Sequence, residues 1–186
     1  MLTRQPFWFL RHGETDWNAR GWSQGNVDIP LNPVGIAQAH AAAMQLQSRG
    51  IRSVVSSPLS RALRTAQAFA EPAGLLVETD DGLREVSFGV QEGQPMADWF
   101  DDWVEGRFTP EGAETFAALQ ARGVAAVNRA LERPAPVLVV AHGALFRALR
   151  AAMGLPANIR TPNAVPMLCE PGVGEPGNPW TLTPAL

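Results

Sequence analysis

The sequence contains no lysine; all 15 basic residues are arginine. That excludes a Schiff-base lysine, a P-loop lysine and a lysine general base together. Coding bias towards arginine accounts for the absence without a functional cause. Cys169 is the only cysteine, so no internal disulfide and no thiolate metal cluster can form, and its expected role is a small buried hydrophobe. No apolar run is long enough to span a bilayer. The run after Pro6 is short and ends in charged residues, unlike a secretory signal. Charge is also modest, with 18% charged residues and a net charge of −3, which offers no bulk attraction to nucleic acid or an acidic membrane. What is present is an ordinary globular composition, 46% apolar over 186 residues. It suits a single domain over residues 1–186 with a sizeable core, in a cytoplasmic protein with no nucleic-acid or membrane partner.

Only three histidines occur, and two share one context. Phe7-Trp8-Phe9-Leu10 leads into Arg11-His12-Gly13-Glu14, and Val137-Leu138-Val139-Val140 leads into Ala141-His142-Gly143-Ala144. Such short continuous apolar runs read as strands buried on both faces of a parallel sheet. Ligands of open α/β sheets bind beyond the carboxyl ends of the strands. If the two strands are near neighbours, both imidazoles enter one crevice.

The rest of the chain alternates between strand and helix patterns. Residues 15–31 read as irregular. Asn32 reads as an N-cap before Pro33, opening a helix with Ile36, Ala39, Ala43 and Leu46 inward and a stop at Gly50. A strand is expected over 52–56, then a helix starting at 57–60 with Ala62, Ala66 and Phe69 inward, then a strand over 75–78. Residues 83–113 are the least regular, with an aromatic and acidic cluster between Asp98 and Phe108. A long helix is expected over 115–131 and another over 144–153. The tail reads as strands over 164–169 and 180–183 joined by a Gly/Pro-rich turn. This order predicts a three-layer α/β/α sandwich with a mostly parallel central sheet.

His12 on its own could be a metal ligand, a nucleophile, an acid/base or a structural histidine. Arg11 beside it is a permanently charged oxyanion binder and disfavours a divalent cation at the same ring. Arg61 lies in the first turn of a helix, where the dipole and free N–H groups favour an anion; its alternative reading is a surface arginine. Asn18 offers an uncharged donor, or is simply a turn residue. With His142 these residues form a set suited to a phosphoryl group, whose transfer needs positioning and charge neutralisation. An imidazole can serve as the nucleophile, and Glu85 is the candidate acid for the leaving alkoxide.

The segment Leu10-Arg11-His12-Gly13-Glu14-Thr15 resembles the hallmark of the histidine phosphatase superfamily, phosphoglycerate mutase-like branch. The likeness continues through Gly25-Asn26-Val27-Asp28-Ile29-Pro30-Leu31 and Ser56-Ser57-Pro58-Leu59-Ser60-Arg61-Ala62. It then takes in Leu83-Arg84-Glu85 with Gly89 and Glu92-Gly93, and ends at Ala141-His142-Gly143, so it covers nearly the whole chain. The resemblance implies a phosphoglycerate mutase-like fold, no cofactor and no metal. It implies His12 as the phosphorylated nucleophile, with Arg11, Arg61, His142 and Gly143 around the phosphoryl group, Asn18 as an added donor, and Glu85 as acid, then base. Residues 86–113 would form a lid. Arg64 stands where the family often has glutamine and is left structural. Glu114 is assigned to helix capping or to support of the site, and His40 to an ordinary flank position.

The branch contains hydrolases and mutases. Mutases carry a longer insertion between the acidic residue and the second histidine than the one between Glu85 and His142. The segment over 98–105 offers Trp99, Phe100 and Trp103 among four acids, and Arg107 is the only cation between Glu85 and Glu114. Dense negative charge on a substrate should therefore be poorly received there, so a phosphomonoesterase acting on a small phosphorylated metabolite is expected. Mutase-type phosphoryl transfer is the first alternative, and a metal-dependent hydrolase or a non-catalytic phospho-ligand module the next. Dimers occur in the family, so a homodimer is the oligomer the resemblance allows.

Overall fold

A computed structural model describes residues 1–173 and 179–185. Its centre is a six-stranded sheet in the order β3-β2-β4-β1-β5-β6. The strands are β1 (Phe7–Arg11), β2 (Ser53–Ser56), β3 (Val77–Thr79), β4 (Val137–Ala141), β5 (Met167–Glu170) and β6 (Thr181–Pro184). The first four in chain order run parallel, and β5 and β6 close one side antiparallel. The helices are α1 (Asp16–Arg20), α2 (Pro33–Leu46), α3 (Ser60–Ala70), α4 (Trp99–Val104), α5 (Phe116–Leu131) and α6 (Gly143–Ala152). The mixed α/β class and largely parallel sheet agree with the expectation.

The alternation of side chains along a strand divides the core into two layers. Trp8, Leu10, Leu138 and Val140 face α2 and α3, meeting Ala42, Ala43, Leu46, Ala62, Ala66 and Phe69. Phe7, Phe9, Val137 and Val139 face α5 and α6, meeting Leu119, Val127, Leu145, Phe146 and Leu149. Phe9 stacks on Phe146 with ring centroids 4.0 Å apart. Burial on both faces is why β1 and β4 read as unbroken apolar runs.

The register of these two strands determines where the histidines fall. β1 pairs β4 with Leu10 opposite Val140 and Arg11 opposite Ala141, and the His12 N–H continues the ladder by donating to the Ala141 carbonyl at 3.0 Å. His12 and His142 therefore leave adjacent parallel strands at the same level, and their ring centroids lie 5.3 Å apart, close to the spacing of the strands themselves.

Four local expectations are corrected. Residues 15–31 contain α1, begun by a capping box in which Thr15 Oγ1 accepts from the Asn18 N–H at 3.1 Å and the Thr15 N–H donates to Asn18 Oδ1 at 3.2 Å. Ile36 is exposed, because the inward face of α2 is the small-residue set Gly35, Ala39, Ala42 and Ala43 with Leu46. β3 begins at Val77, leaving Leu76 89% exposed. β5 and β6 are four residues each and start later than their patterns suggested; most of the intervening turn lies outside the described residues. Asn32 does cap α2, its Oδ1 accepting from the Gly35 N–H at 2.8 Å, and Pro33 holds the first helical position.

Close backbone approach explains two glycines. A Cβ on Gly13 would lie 2.3 Å from the Gly35 carbonyl oxygen, so the loop after β1 can settle on the start of α2 only without side chains there. Gly25 has φ +51°, and a Cβ on it would lie 2.1 Å from a Glu92 carboxylate oxygen. That oxygen accepts from the Asn26 and Phe88 N–H groups at 3.0 and 3.1 Å. Glu92 thus ties the loop around residue 25 to the segment after Glu85.

Candidate active site

Beyond the carboxyl ends of β1 and β4 lies a cleft of about 220 Å³ lined by Arg11, His12, Asn18, Glu85 and Gly143, with Trp22, Phe88, Met96 and Phe100 as an apolar wall. His12 is buried, and its Nδ1 lies 2.6 Å from its neighbour's carbonyl, Gly13 O. A carbonyl only accepts, so the proton sits on Nδ1 and the Nε2 lone pair is free. The Gly13 N–H in turn donates to Thr65 Oγ1 at 3.1 Å, and that hydroxyl donates to the Arg61 carbonyl at 2.7 Å. The nucleophile candidate and the arginine of α3 are therefore linked through Thr65.

Arg61 has 0% exposure, which overturns the surface reading. Its guanidinium donates to Val27 O and Gly25 O, both at 2.8 Å. The N-terminus of α3 is not open to an anion as the helix position suggested: Asp28 Oδ1 accepts both the Ser60 N–H and its hydroxyl, at 2.8 and 2.7 Å. Arg11 is fixed by the Thr161 carbonyl, 2.6 Å from its Nη1. A Cβ on Gly143 would lie 3.2 Å from Arg11 Nε, so glycine there lets the guanidinium sit close against the first turn of α6.

His142 caps no helix with its side chain; its Nε2 lies 2.7 Å from Ser57 Oγ. Glu85 is the side chain that occupies the N-terminus of α6. Its Oε2 accepts from the Ala144 N–H at 3.0 Å and its Oε1 from the Leu145 N–H at 2.9 Å, where the helix dipole favours a carboxylate. Among the described residues three buried side-chain nitrogens in this group have no hydrogen-bond partner: Arg11 Nε, Arg61 Nε and His142 Nδ1. Buried polar atoms are rarely left unsatisfied, and the orphaned N–H groups of two guanidinium cations suit an anion.

Burial is the first cause of the electrostatic shifts here, ahead of the neighbouring arginines. It holds His12 well below the usual imidazole value, with Arg61 and then Arg11 adding to the effect. His142 is lowered well below that value too, by burial, then Arg61, then His12. Arg11 and Arg61 are each pushed down to about 10, again mainly by burial, and stay protonated at neutral pH. The unfolded histidines take up protons near pH 6.5, whereas the folded ones do so only further down. Their contribution to stability is thus complete above pH 6.5 and is lost as pH falls from there towards the folded values. Denaturant unfolding should show a slope approaching about 1.4 kcal/mol per pH unit for each histidine in that window, reduced by His142→Asn. The acid limb of kcat/KM should lie below pH 6.5, since His12 keeps its lone pair there.

The structure brings together Arg11, His12, Asn18, Arg61, Glu85, His142 and Gly143. The capping box holds Asn18 Oδ1 towards Thr15 N, and Asn163 Nδ2 donates to the same oxygen at 3.2 Å; Asn18 lines the cleft. Arg64 stays outside, within 3.9 Å of Glu71 on the surface, and His40 is exposed on α2. Cys169 is fully buried and its thiol is pushed up by burial. Among the described residues no group of three or more His, Cys, Asp or Glu side chains is placed to hold a metal ion, and no helix is long and apolar enough to cross a membrane.

Several residues at the site carried no signal in the sequence. Thr161 and Asn163 reach it from the loop before β5, Asn163 Nδ2 also donating to the His12 carbonyl at 2.9 Å. Ser57 stands within the 56–62 block but the resemblance gives it no role there, and Thr65 is hidden among ordinary helix residues. Arg147 and Arg160 line the cleft from α6 and from the loop after it, so the cations missing from residues 86–113 are supplied from elsewhere. Glu114 is a support residue, with Thr115 taking the capping role. The Glu114 carboxylate receives Arg122 Nε and Nη2, each at 2.7 Å. Arg122 also donates to the carbonyls of Gly82, Arg84 and Glu85 at 2.9, 2.7 and 3.0 Å. Arg122 is therefore a positioning residue for Glu85. Arg122→Met should lower kcat by on the order of 10–100-fold for an alkyl phosphate. The loss should be smaller for p-nitrophenyl phosphate, whose phenolate leaves without a proton, and Arg122→Lys should recover part of it. Steady-state kinetics on both esters checks this.

A cationic crevice at the carboxyl end of a parallel sheet, with orphaned donors and a free imidazole nitrogen, is the arrangement of an α/β phosphoryl-transfer protein. The chain belongs to the histidine phosphatase superfamily (branch 1), whose family model matches residues 7–166. It is 40% identical over 164 residues to the "Probable phosphoglycerate mutase GpmB" of Yersinia pestis, covering 81% of this chain and 76% of that one. Among solved structures it resembles a mycobacterial glucosyl-3-phosphoglycerate phosphatase in complex with VO3, with a TM-score of 0.82 and 32% identity over 97% of this chain and 98% of that one. It shares the fold of a phosphoserine phosphatase from Entamoeba histolytica, with a TM-score of 0.79 and 24% identity over 97% and 96% of the two chains.

Proposed function

We propose that the protein is a phosphomonoesterase that hydrolyses a small phosphorylated metabolite through a phosphohistidine on His12. The observation that carries this reading is the free Nε2 of His12 beside three buried nitrogens without partners among the described residues, Arg11 Nε, Arg61 Nε and His142 Nδ1. In the first step His12 Nε2 gives its lone pair to phosphorus, the ester P–O bond breaks, and Glu85 gives a proton to the departing alkoxide. The donors hold the equatorial oxygens as charge spreads onto them. In the second step Glu85 takes a proton from water, the oxygen attacks phosphorus, and the N–P bond breaks to release inorganic phosphate and restore the imidazole.

Mutase-type transfer uses the same first step and returns the phosphoryl group to a second hydroxyl instead of water. The GpmB relative supports it by name, and the phosphatase neighbour supports hydrolysis. The short stretch between Glu85 and His142 favours hydrolysis, since the mutases of the branch carry a longer insertion there. The test is to incubate the protein with a ³²P-labelled monoester and quench. An alkali-stable, acid-labile label on His12 with net phosphate release is expected. A label that persists after His12→Ala, or phosphoryl exchange between substrate hydroxyls faster than phosphate release, refutes the reading.

A further inference from the structure

The Nδ1 proton of His12 goes to the Gly13 carbonyl across 2.6 Å, and the other end of that peptide group is the Glu14 N–H. The Glu14 N–H donates to Gln38 Oε1 at 2.8 Å. A peptide N–H only donates, so the Gln38 amide presents its oxygen here. His12, the Gly13–Glu14 peptide and Gln38 thus form one chain, in which each hydrogen bond polarises the next. Gln38 stands on α2, outside every segment that carries the family resemblance, and its side chain does not line the cleft. The segment it holds is fastened to the start of α2 twice more: the Asn32 N–H donates to the Glu14 carbonyl and Asn32 Nδ2 to Glu14 Oε1, both at 3.0 Å. A Cβ on Gly35 would lie 2.0 Å from the Glu14 carbonyl oxygen. Gly35 and Gln38 are three residues apart on one face of α2, so the turn that admits the loop also delivers the acceptor to it. Burial, Arg61 and Arg11 lower the proton affinity of His12, and the Gly13 carbonyl opposes them. A carbonyl polarised through Gln38 opposes them more strongly and keeps electron density on Nε2.

We propose that Gln38 is a positioning residue for the nucleophile: acting through the Gly13–Glu14 peptide, it holds the His12 ring with Nδ1 protonated and Nε2 free for attack. The peptide group is planar, so a Glu14 N–H that loses its acceptor tilts the Gly13 carbonyl with it. The bond to Nδ1 then weakens and the ring gains freedom to turn. Rate is lost because attack needs Nε2 aligned with the breaking ester bond. Thr65 acts on the other peptide group of the same residue, accepting the Gly13 N–H at 3.1 Å, so Gly13 is held from both sides. The inference rests on the phosphohistidine reading for its effect on rate, while the state of the His12 ring is a separate observable.

The test compares Gln38→Met, which keeps the length and helix preference of the side chain but offers no comparable acceptor, with Gln38→Glu, which keeps an acceptor oxygen. Gln38→Asn, whose oxygen stops one methylene short, repeats the loss by a milder change. Gln38 is half-buried, and circular dichroism checks that each variant folds. On a phosphate monoester kcat should fall by about 10–100-fold in Gln38→Met and Gln38→Asn, and Gln38→Glu should recover most of it. Inorganic phosphate should inhibit all of them as before, because Arg11 and Arg61 keep their anchors. In NMR spectra of the ¹⁵N-labelled proteins the His12 Nδ1 proton should move upfield in Gln38→Met and Gln38→Asn and stay in place in Gln38→Glu. An unmoved Nδ1 proton in the first two variants, or a loss of kcat as large in Gln38→Glu as in Gln38→Met, overturns the proposal. The phosphohistidine reading is decided apart from it: if no label forms on His12 that reading fails, while the Nδ1 proton still decides what Gln38 holds.

Discussion

His12→Ala is expected to lower kcat for phosphate release by at least about 10⁴-fold, the scale on which removal of a nucleophile acts when no other group can take its place. No substitute is at hand. The other imidazole, His142, has its Nε2 engaged by Ser57 Oγ at 2.7 Å, and Cys169 is a buried thiol on β5. In this variant the His12 ring is replaced by a small void among residues that remain hydrogen-bonded, so circular dichroism and thermal unfolding should show a folded protein. Substrate binding should survive, because Arg11 and Arg61 do not depend on the His12 ring for their anchors. A variant that kept more than a hundredth of the original kcat would place the nucleophile elsewhere.

Arg61→Met should harm both stability and catalysis. The substitution keeps the apolar stem but removes the donors to Val27 O and Gly25 O, leaving two carbonyls of a closely packed loop without their partners. Each costs about 1–3 kcal/mol, and the side chain is fully buried, so a loss of about 2–5 kcal/mol in unfolding free energy is expected. The same change deletes one of the two orphaned guanidinium N–H groups, which should cost about 10²–10³-fold in kcat. It also removes the cation that, after burial, lowers the histidines most, so the acid limb of activity should move towards pH 6.5. Urea unfolding together with a pH–rate profile separates these effects. If stability fell while kcat and the acid limb stayed put, Arg61 would be a structural residue alone.

The strand-end histidines were legible because the signal is local. Burial on both faces demands an unbroken apolar run, and a run of that length ends where the strand does. Asn32 with Pro33 marked a helix start for the same local reason. Thr15 and Asn18 also carried a local signal, a capping pair three residues apart, but the glycines around them made residues 15–31 read as irregular. The exposure of Ile36 was not legible, since helical spacing leaves open which of two adjacent stripes turns inward, and the alanine stripe of α2 packs closer.

By itself the sequence determined that two imidazoles stand at the ends of two buried strands, that one of them has an arginine beside it, and that lysine chemistry and thiolate metal clusters are excluded. Only the tertiary structure decided that these strands are adjacent and in register, because pairing order depends on how helices cover the sheet's two faces. It placed Glu85 on the first turn of α6 and Arg122 behind it, and gave the Arg61 guanidinium its loop carbonyls. It also carried Thr161, Asn163, Arg147 and Arg160 into a cleft built mainly from distant parts of the chain. A motif records which residues are neighbours along the backbone. Burial, orphaned donors and the crowding of like charges arise only when separate segments close over one another.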